Sequence, residues 1–312
     1  MKAVRFHSYG ASDVLVHEDV DRPAAGEGQV VVKVAGAAFN PVDLPIREGF
    51  VTEAFPIVLP HIPLYDLSGT VAEIGADVAG WSVGDPVVAW LPIPAPGAAA
   101  EYAVVEADTL APAPSSGELA DAAALPSVAL VALQIVVEHA ALKPGQTILV
   151  NGAGGAVGGY LVQLAAAAGA VVTATASPAS RQRVESYGAS RIIDYTVEPV
   201  TEALAGETFD VVVNVVASAG EAELAPLAEL VADGGVFATI VPPGLRKEIG
   251  RGVRNLVVFG RSDAAQLAEL TARVDAGELK IHVAQRRPLA ELRAVHDEAA
   301  AGRLPGRTVL VP

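Results

Sequence analysis

The stretch Thr147–Leu164, "TILVNGAGGAVGGYLVQL", decides the reading of this chain. An apolar run leads into five glycines within residues 152–159, and an apolar stretch at helical spacing follows. Glycine weakens strand and helix alike, so this density means an unusual backbone angle or a close approach to the main chain. Gly152, Gly155 and Gly158 form G-x-x-G-x-x-G where a strand ends and a helix begins. There the free N–H groups and the helix dipole favour an anion, and bare backbone lets a pyrophosphate lie close. Gly152, Ala153, Gly155, Ala156, Val157 and Gly158 are accordingly the expected dinucleotide-binding loop.

Outward from this loop, helices and strands alternate. Helical texture in "VALVALQIVVEHAAL" precedes it, and strands "AVVTATA", "RIIDY", "FDVVVNVV", "GGVFATIV" and "NLVVFG" follow. Helices are expected between them at 156–169, 178–187, 198–205 and 221–232. Strands nearly continuous in apolar residues mean a parallel sheet covered on both faces. Before residue 115 the texture differs: short β-branched runs such as "QVVVKVAGAAF", "LSGTVAEIG", "GDPVVAW" and "AAAEYAVV", split by Gly, Pro and Asp, suggest a β-barrel-like domain. "LAPAPSSGELADAAALP" reads as a hinge leading into a helix, and the tail adds "KIHVAQRRPL", a helix at 288–301 and a closing strand "RTVLVP".

Composition excludes several classes. With 312 residues, 52% hydrophobic and 18% charged, the chain has the profile of a folded protein of about two domains. A net charge of −15 argues against nucleic acid or an anionic membrane as partner. The absence of cysteine removes disulfides, thiolate catalysis and Cys-ligated zinc. "MKAVRFHSYG" has no apolar core of a signal peptide, and no apolar run reaches the ~20 residues of a membrane helix, so a cytoplasmic protein is expected.

An NAD site places Asp or Glu at the end of the second strand, to bind the ribose hydroxyls. This chain has "TATASPASRQR" there, with Ser177, Arg181 and Arg183 where a 2′-phosphate would lie. Arginine grips phosphate bidentately, so NADP(H) is expected over NAD(H). Tyr195, just past "RIID", is counted with the same cofactor site.

Taken together, "MKAVRFHSYGASDVL", "FNPVDLPIREG", "DLSGTVAEIGADVAGWSVGD", "NGAGGAVG", "YGASRIIDY", "DAGEL" and "GRLPGRTVLV" resemble the medium-chain dehydrogenase/reductase superfamily, in its zinc-independent quinone oxidoreductase branch. The resemblance runs over essentially the whole chain. It implies a Rossmann-type doubly wound domain at 121–279 and a GroES-like β-barrel domain at 1–120 completed by 280–312, with the active site in the cleft between them. It further implies nicotinamide contacts from Val241 and from Phe259-Gly260, and a homodimer for which "NLVVFGR" could supply a shared edge.

Zinc-dependent relatives carry Cys near Asn40 and Gly-His-Glu where this chain has Leu64-Tyr65-Asp66, so no metal is expected. Hydride transfer to an acceptor needing little activation remains: a small hydrophobic quinone or α,β-unsaturated carbonyl. Asn40 is the candidate hydrogen-bond donor to the acceptor carbonyl, with a turn as its blander role, and Tyr65 is a candidate proton donor or packing residue. Asp43 is read first as a helix-start carboxylate, and His61, nearest the supposed cleft, as structural. The tyrosines that flank "REG" in relatives are replaced by Pro45 and Phe50-Val51, Leu64 stands at a frequent glycine, and Asn214 at a frequent Asp. The apolar stretch "FVTEAFPIVLPHIP" suits a greasy planar substrate or ordinary core packing equally. Alternatives are a tailoring reductase of a polyketide or acyl intermediate, and a non-catalytic NADP(H)-binding sensor or scaffold.

Overall fold

The structure, a computed structural model, describes residues 1–217 and 220–312. In chain order the first elements are β1 (Lys2–Phe6), β2 (Leu15–Asp19), β3 (Gln29–Ala38), α1 (Asp43–Glu48), β4 (Asp66–Ile74), β5 (Pro86–Trp90), β6 (Tyr102–Glu106), β7 (Ala111–Pro112) and α2 (Pro126–Gln134). Then come β8 (Thr147–Asn151), α3 (Ala156–Ala167), β9 (Val171–Thr175), α4 (Pro178–Ser186), β10 (Arg191–Ile193), α5 (Val200–Ala203), β11 (Phe209–Asn214), α6 (Glu221–Ala228), β12 (Val231–Thr239) and β13 (Arg254–Val257). The chain ends with α7 (Ala264–Asp275), β14 (Gln285–Pro288), α8 (Leu292–Ala300) and β15 (Thr308–Val311).

Two compact units result, one of residues 1–127 and 262–312, the other of residues 128–261. In the second unit six strands pair in the order β10-β9-β8-β11-β12-β13, all parallel. This is a doubly wound sheet whose strand order reverses between β8 and β11. Ile148, Leu149 and Val150 are all fully buried, which is why β8 is apolar without alternation. The glycine loop leaves β8 at that reversal, where such folds bind ligands beyond the carboxyl ends of the strands.

In the first unit a sheet runs β14-β15-β3-β4-β5-β7, with β6 also pairing β3. The last strand of the chain lies antiparallel to β3, Val309 opposite Ala38 and Leu310 opposite Ala37. The C-terminal tail therefore completes a sheet that the first hundred residues begin. Its core gathers Phe6, Val30, Val32, Leu64, Leu67, Val87 and Leu310.

Three elements differ from the sequence reading. Residues 221–232 read as one helix, but α6 stops at Ala228, and Val231 already pairs with Phe209 in the sheet. The helical run after the hinge is α-helical only to Gln134, and Ile135–His139 continue as one π-helical turn. Helix α7 was not anticipated at all, although Asp263 caps it by accepting from Gln266 N and Gly277 follows it with a positive φ. The Asp275 carboxylate at its end accepts from Ser115 N and Ser116 N at 3.1 and 2.9 Å. That anchorage sets residues 262–279 with the first unit, whereas the sequence had placed them in the Rossmann domain.

In α8, His296 is fully buried with its ring edge-on to Phe39 at 5.1 Å, and neither ring nitrogen has a partner among the described residues. Burial, with Arg47 nearby, pushes its pKa down to about 3. The unfolded chain takes up this proton near pH 6.5, so the contribution is intact above that pH and is lost progressively as pH falls towards 3. His296→Phe should flatten the fall of stability between pH 6 and 4 by about 1.4 kcal/mol per pH unit relative to the parent, measured by urea unfolding across pH. Identical slopes would show that His296 is not buried neutral.

Candidate active site

The glycine loop has the shape of an anion cradle. Gly152 has φ +100°, a left-handed angle, and a Cβ there would meet Val215 and Val216 side chains at under 3 Å. A Cβ on Gly158 would lie 2.2 Å from Gly152 O, so α3 approaches the loop more closely than any side chain allows. Gly155 is different. It precedes α3 in an extended conformation, with no side-chain cap on the helix, and a Cβ there would meet only Gly152 O at 3.4 Å. The space over Gly155 is thus open, beside the first N–H groups of a helix, and a pyrophosphate fits the residues present.

Around this loop the carboxyl ends of four neighbouring strands are joined by side chains. Gly152 N–H donates to Thr175 Oγ1 at 2.8 Å, and that hydroxyl donates to Asn151 Oδ1 at 3.0 Å. Asn151 Nδ2 donates to Asn214 Oδ1 at 2.8 Å, and Asn214 Nδ2 donates to Val216 O at 2.9 Å. Asn214 Nδ2 also lies 3.5 Å from Thr239 Oγ1, which accepts from Val241 N.

Past β9 no carboxylate stands at the strand end. Ser177 occupies the N-cap position of α4 in extended conformation. Arg183 donates to Gly154 O at 2.9 Å, with its guanidinium 5.9 Å from the Tyr187 ring centre, which fixes it against the glycine loop. Arg181 is 42% exposed and faces Glu185 at 3.7 Å, a loose pair on the helix surface. Tyr195 and Phe259 are exposed at 54% and 69%, and Val241 and Gly260 are partly exposed.

The first unit holds a buried polar network. Arg307 reaches Asp66 Oδ2 and Asn40 Oδ1, both at 2.5 Å, and the Phe39 carbonyl at 3.0 Å. Asp66 also accepts from Ser127 N and Oγ at 2.7 and 2.6 Å and from Asn40 Nδ2 at 2.8 Å. Both Asn40 amide atoms are therefore engaged, leaving one Nδ2 hydrogen without a partner among the described residues.

Asp43 lies next to it, fully enclosed, accepting from Asn40 N at 2.8 Å and from Leu64 N at 3.4 Å. Burial pushes its pKa up to about 7. Tyr65 is buried too, its hydroxyl 2.9 Å from His61 Nε2. Burial, then the Asp43 charge, raises its pKa well above the usual phenol range, while burial lowers that of His61 to about 4. Leu64 is fully buried at φ +68°, which explains why glycine suits this position. Its side chain offsets a backbone cost of about 1–2 kcal/mol. In the apolar stretch 50–63, Phe50 and Val58 are exposed at 79% and 80%, whereas Leu59 and Ile62 pack on the core.

Residues 26–115 match the family described as "Alcohol dehydrogenase GroES-like domain", and residues 187–310 the one described as "Zinc-binding dehydrogenase". The chain is 38% identical to the chloroplast envelope quinone oxidoreductase homolog of Arabidopsis thaliana over 223 residues, 69% of this chain and 68% of that protein. It is 33% identical to an NADPH-dependent alkenal/one oxidoreductase, chloroplastic, of the same plant, over 90% of this chain and 71% of that one. Its fold superposes on the quinone oxidoreductase from Coxiella burnetii with a TM-score of 0.88 at 28% identity, covering 100% and 99% of the two chains.

The chain belongs to the medium-chain dehydrogenase/reductase superfamily. It is an oxidoreductase of that family's NAD(P)-binding kind, with the expected Rossmann-type sheet and GroES-like domain. No helix among the described residues is long and apolar enough to cross a membrane. Asp66 faces the Arg307 guanidinium, not an open coordination site. Among the described residues no group of three or more His, Cys, Asp or Glu is arranged to hold a metal.

Sequence reasoning missed Arg307, Ser127, Asn151, Thr175 and Thr239. Arg307 lies 241 positions from Asp66, a separation at which spacing carries no signal. Breaking a buried pair leaves an uncompensated charge, so Arg307→Met should destabilise the protein by about 3–5 kcal/mol in urea unfolding. A loss below about 1 kcal/mol would mean that Asp66 finds water or another partner.

Proposed function

We propose that the protein is an NADPH-dependent reductase that delivers hydride, without a catalytic metal, to a small hydrophobic quinone or α,β-unsaturated carbonyl. The open space over Gly155, with Arg183 held on Gly154 O and no carboxylate at the end of β9, carries this reading. The similarity to relatives named for quinone and for alkenal/one reduction supports it. When bound, the nicotinamide supplies the hydride, and the chain's own residues bind, orient and shield.

The first N–H groups of α3 and the bare backbone at Gly155 would hold the pyrophosphate. Arg183, already fixed on Gly154 O, and Arg181, free to swing from its surface pair, would hold the 2′-phosphate with the Ser177 hydroxyl. Tyr195, Val241, Phe259 and Gly260 would border the cofactor.

In the first unit Asn40 would offer its remaining amide hydrogen to the acceptor oxygen, its plane held by Arg307 and Asp66. Tyr65 is a poor proton donor here because its hydroxyl is buried, bonded to His61 and raised in pKa, so the proton is supplied from water. The hydrophobic acceptor leaves no charge signature, which suits the exposed Phe50 and Val58.

Titration with NADPH and NADH, followed by nicotinamide fluorescence, tests the reading. NADPH should bind at least tenfold tighter than NADH, and Arg181→Ala/Arg183→Ala should bring the ratio close to one. An unaltered ratio would remove both arginines from the phosphate site. Gly155→Val, whose Cβ meets no tighter contact than 3.4 Å, should fold normally and lose both cofactors. Retained binding would displace the pyrophosphate from this loop. Tight NADPH binding without turnover of any quinone or enone would favour the sensor reading instead.

A further inference from the structure

The side-chain ladder across the sheet edge runs in one direction only. Val216 O can only accept, so it holds Asn214 Nδ2, and this fixes the sense of each bond back to the Thr175 hydroxyl, which also accepts from Gly152 N–H. Gly152 donates to Thr175, Thr175 to Asn151, Asn151 to Asn214, and Asn214 to Val216. Thr175 and Asn214 are each 1% exposed, so no water substitutes for a missing link. The same two ends also touch directly, because a Cβ on Gly152 would lie 2.8 Å from the Val216 side chain. Backbone bonds lock Val215 N to Asn151 O and Ile240 N to Asn214 O beside the ladder.

We propose that Asn214 is a positioning residue for the dinucleotide, coupling the glycine loop to the segments that follow β11 and β12. The proposal rests on the glycine loop holding a dinucleotide. Asn214 closes the ladder: its amide accepts from Asn151 on the loop side and donates to the Val216 carbonyl on the far side. An aspartate there still accepts from Asn151 but sets a second acceptor oxygen against Val216 O, so the last bond is lost and replaced by repulsion. The cradle for the phosphates then remains, while residues 215–217 and 239–241 lose their fixed relation to it. Whole-cofactor binding, which needs both regions, suffers, and binding of the adenosine half does not.

The test compares the parent with Asn214→Asp, using the dinucleotide that the parent prefers and the matching adenosine half, 2′,5′-ADP for NADPH or AMP for NADH. At pH 8 the variant should bind the dinucleotide about tenfold more weakly and the half-molecule within about twofold. At pH 6 the deficit should shrink, since a protonated carboxyl again donates to Val216 O. Asn214→Ser, which removes the link without adding charge, should give the same split without the pH recovery, and serves if the Asp variant does not fold. Equal weakening of both ligands, or unchanged dinucleotide affinity, would overturn the positioning role and leave Asn214 a structural residue. A parent that binds neither dinucleotide but folds normally would overturn the cofactor reading and the proposal with it.

Discussion

The buried pair of Asp66 and Arg307 is the constraint on which the first unit depends. Asp66 opens β4 and Arg307 directly precedes β15, so their contact holds the last strand of the chain against a sheet begun some three hundred residues earlier. Two charges taken out of water cost several kcal/mol each, and attraction offsets this only when the other hydrogen-bonding positions are filled. Here the carboxylate accepts from Ser127, Asn40 and Arg307, and the guanidinium donates to the Phe39 carbonyl and the Asn40 amide as well, leaving only its Nε without a partner among the described residues. A hydrophobic pair of equal volume could match the stability, but not the orientation imposed on Asn40.

A guanidinium and a carboxylate organise the corner around Asn40, and the Tyr65 hydroxyl lies against His61 beside it. The corner is consequently built for holding a neutral amide in place, with Asp43, Tyr65 and His61 each shifted towards its uncharged form by burial.

The second unit solves its problem with backbone. On the proposed reading the loop holds phosphate through N–H groups at a helix N-terminus, which requires the absence of side chains at Gly152, Gly155 and Gly158. An N–H cradle has value only if the loop holds still. The Thr175–Asn151–Asn214 ladder supplies that rigidity from within the sheet, where packing already fixes each strand end.

Much of this was legible in the sequence because it depends on local order. The strands of the parallel sheet announce themselves as short apolar runs, and the glycine spacing requires a particular strand–loop–helix geometry whatever surrounds it. Helix α7, though capped by Asp263, carries a weak signal between two stronger patterns, and the apolar run of α6 continues into Val231, which pairs with Phe209 from outside its own segment. The network around Asp66 and the ladder around Asn214 were not legible. Their members are polar residues of ordinary kinds, separated by up to 241 positions, and their meaning lies in which lone pair faces which hydrogen. The order of residues by itself determined the two textures, the parallel sheet and the phosphate loop, because periodicity and glycine are local physics. Only the tertiary structure decided which groups Asn40 bonds, which charge answers Asp66 and which partners Asn214 links, because hydrogen-bond partners are chosen in space and not along the chain.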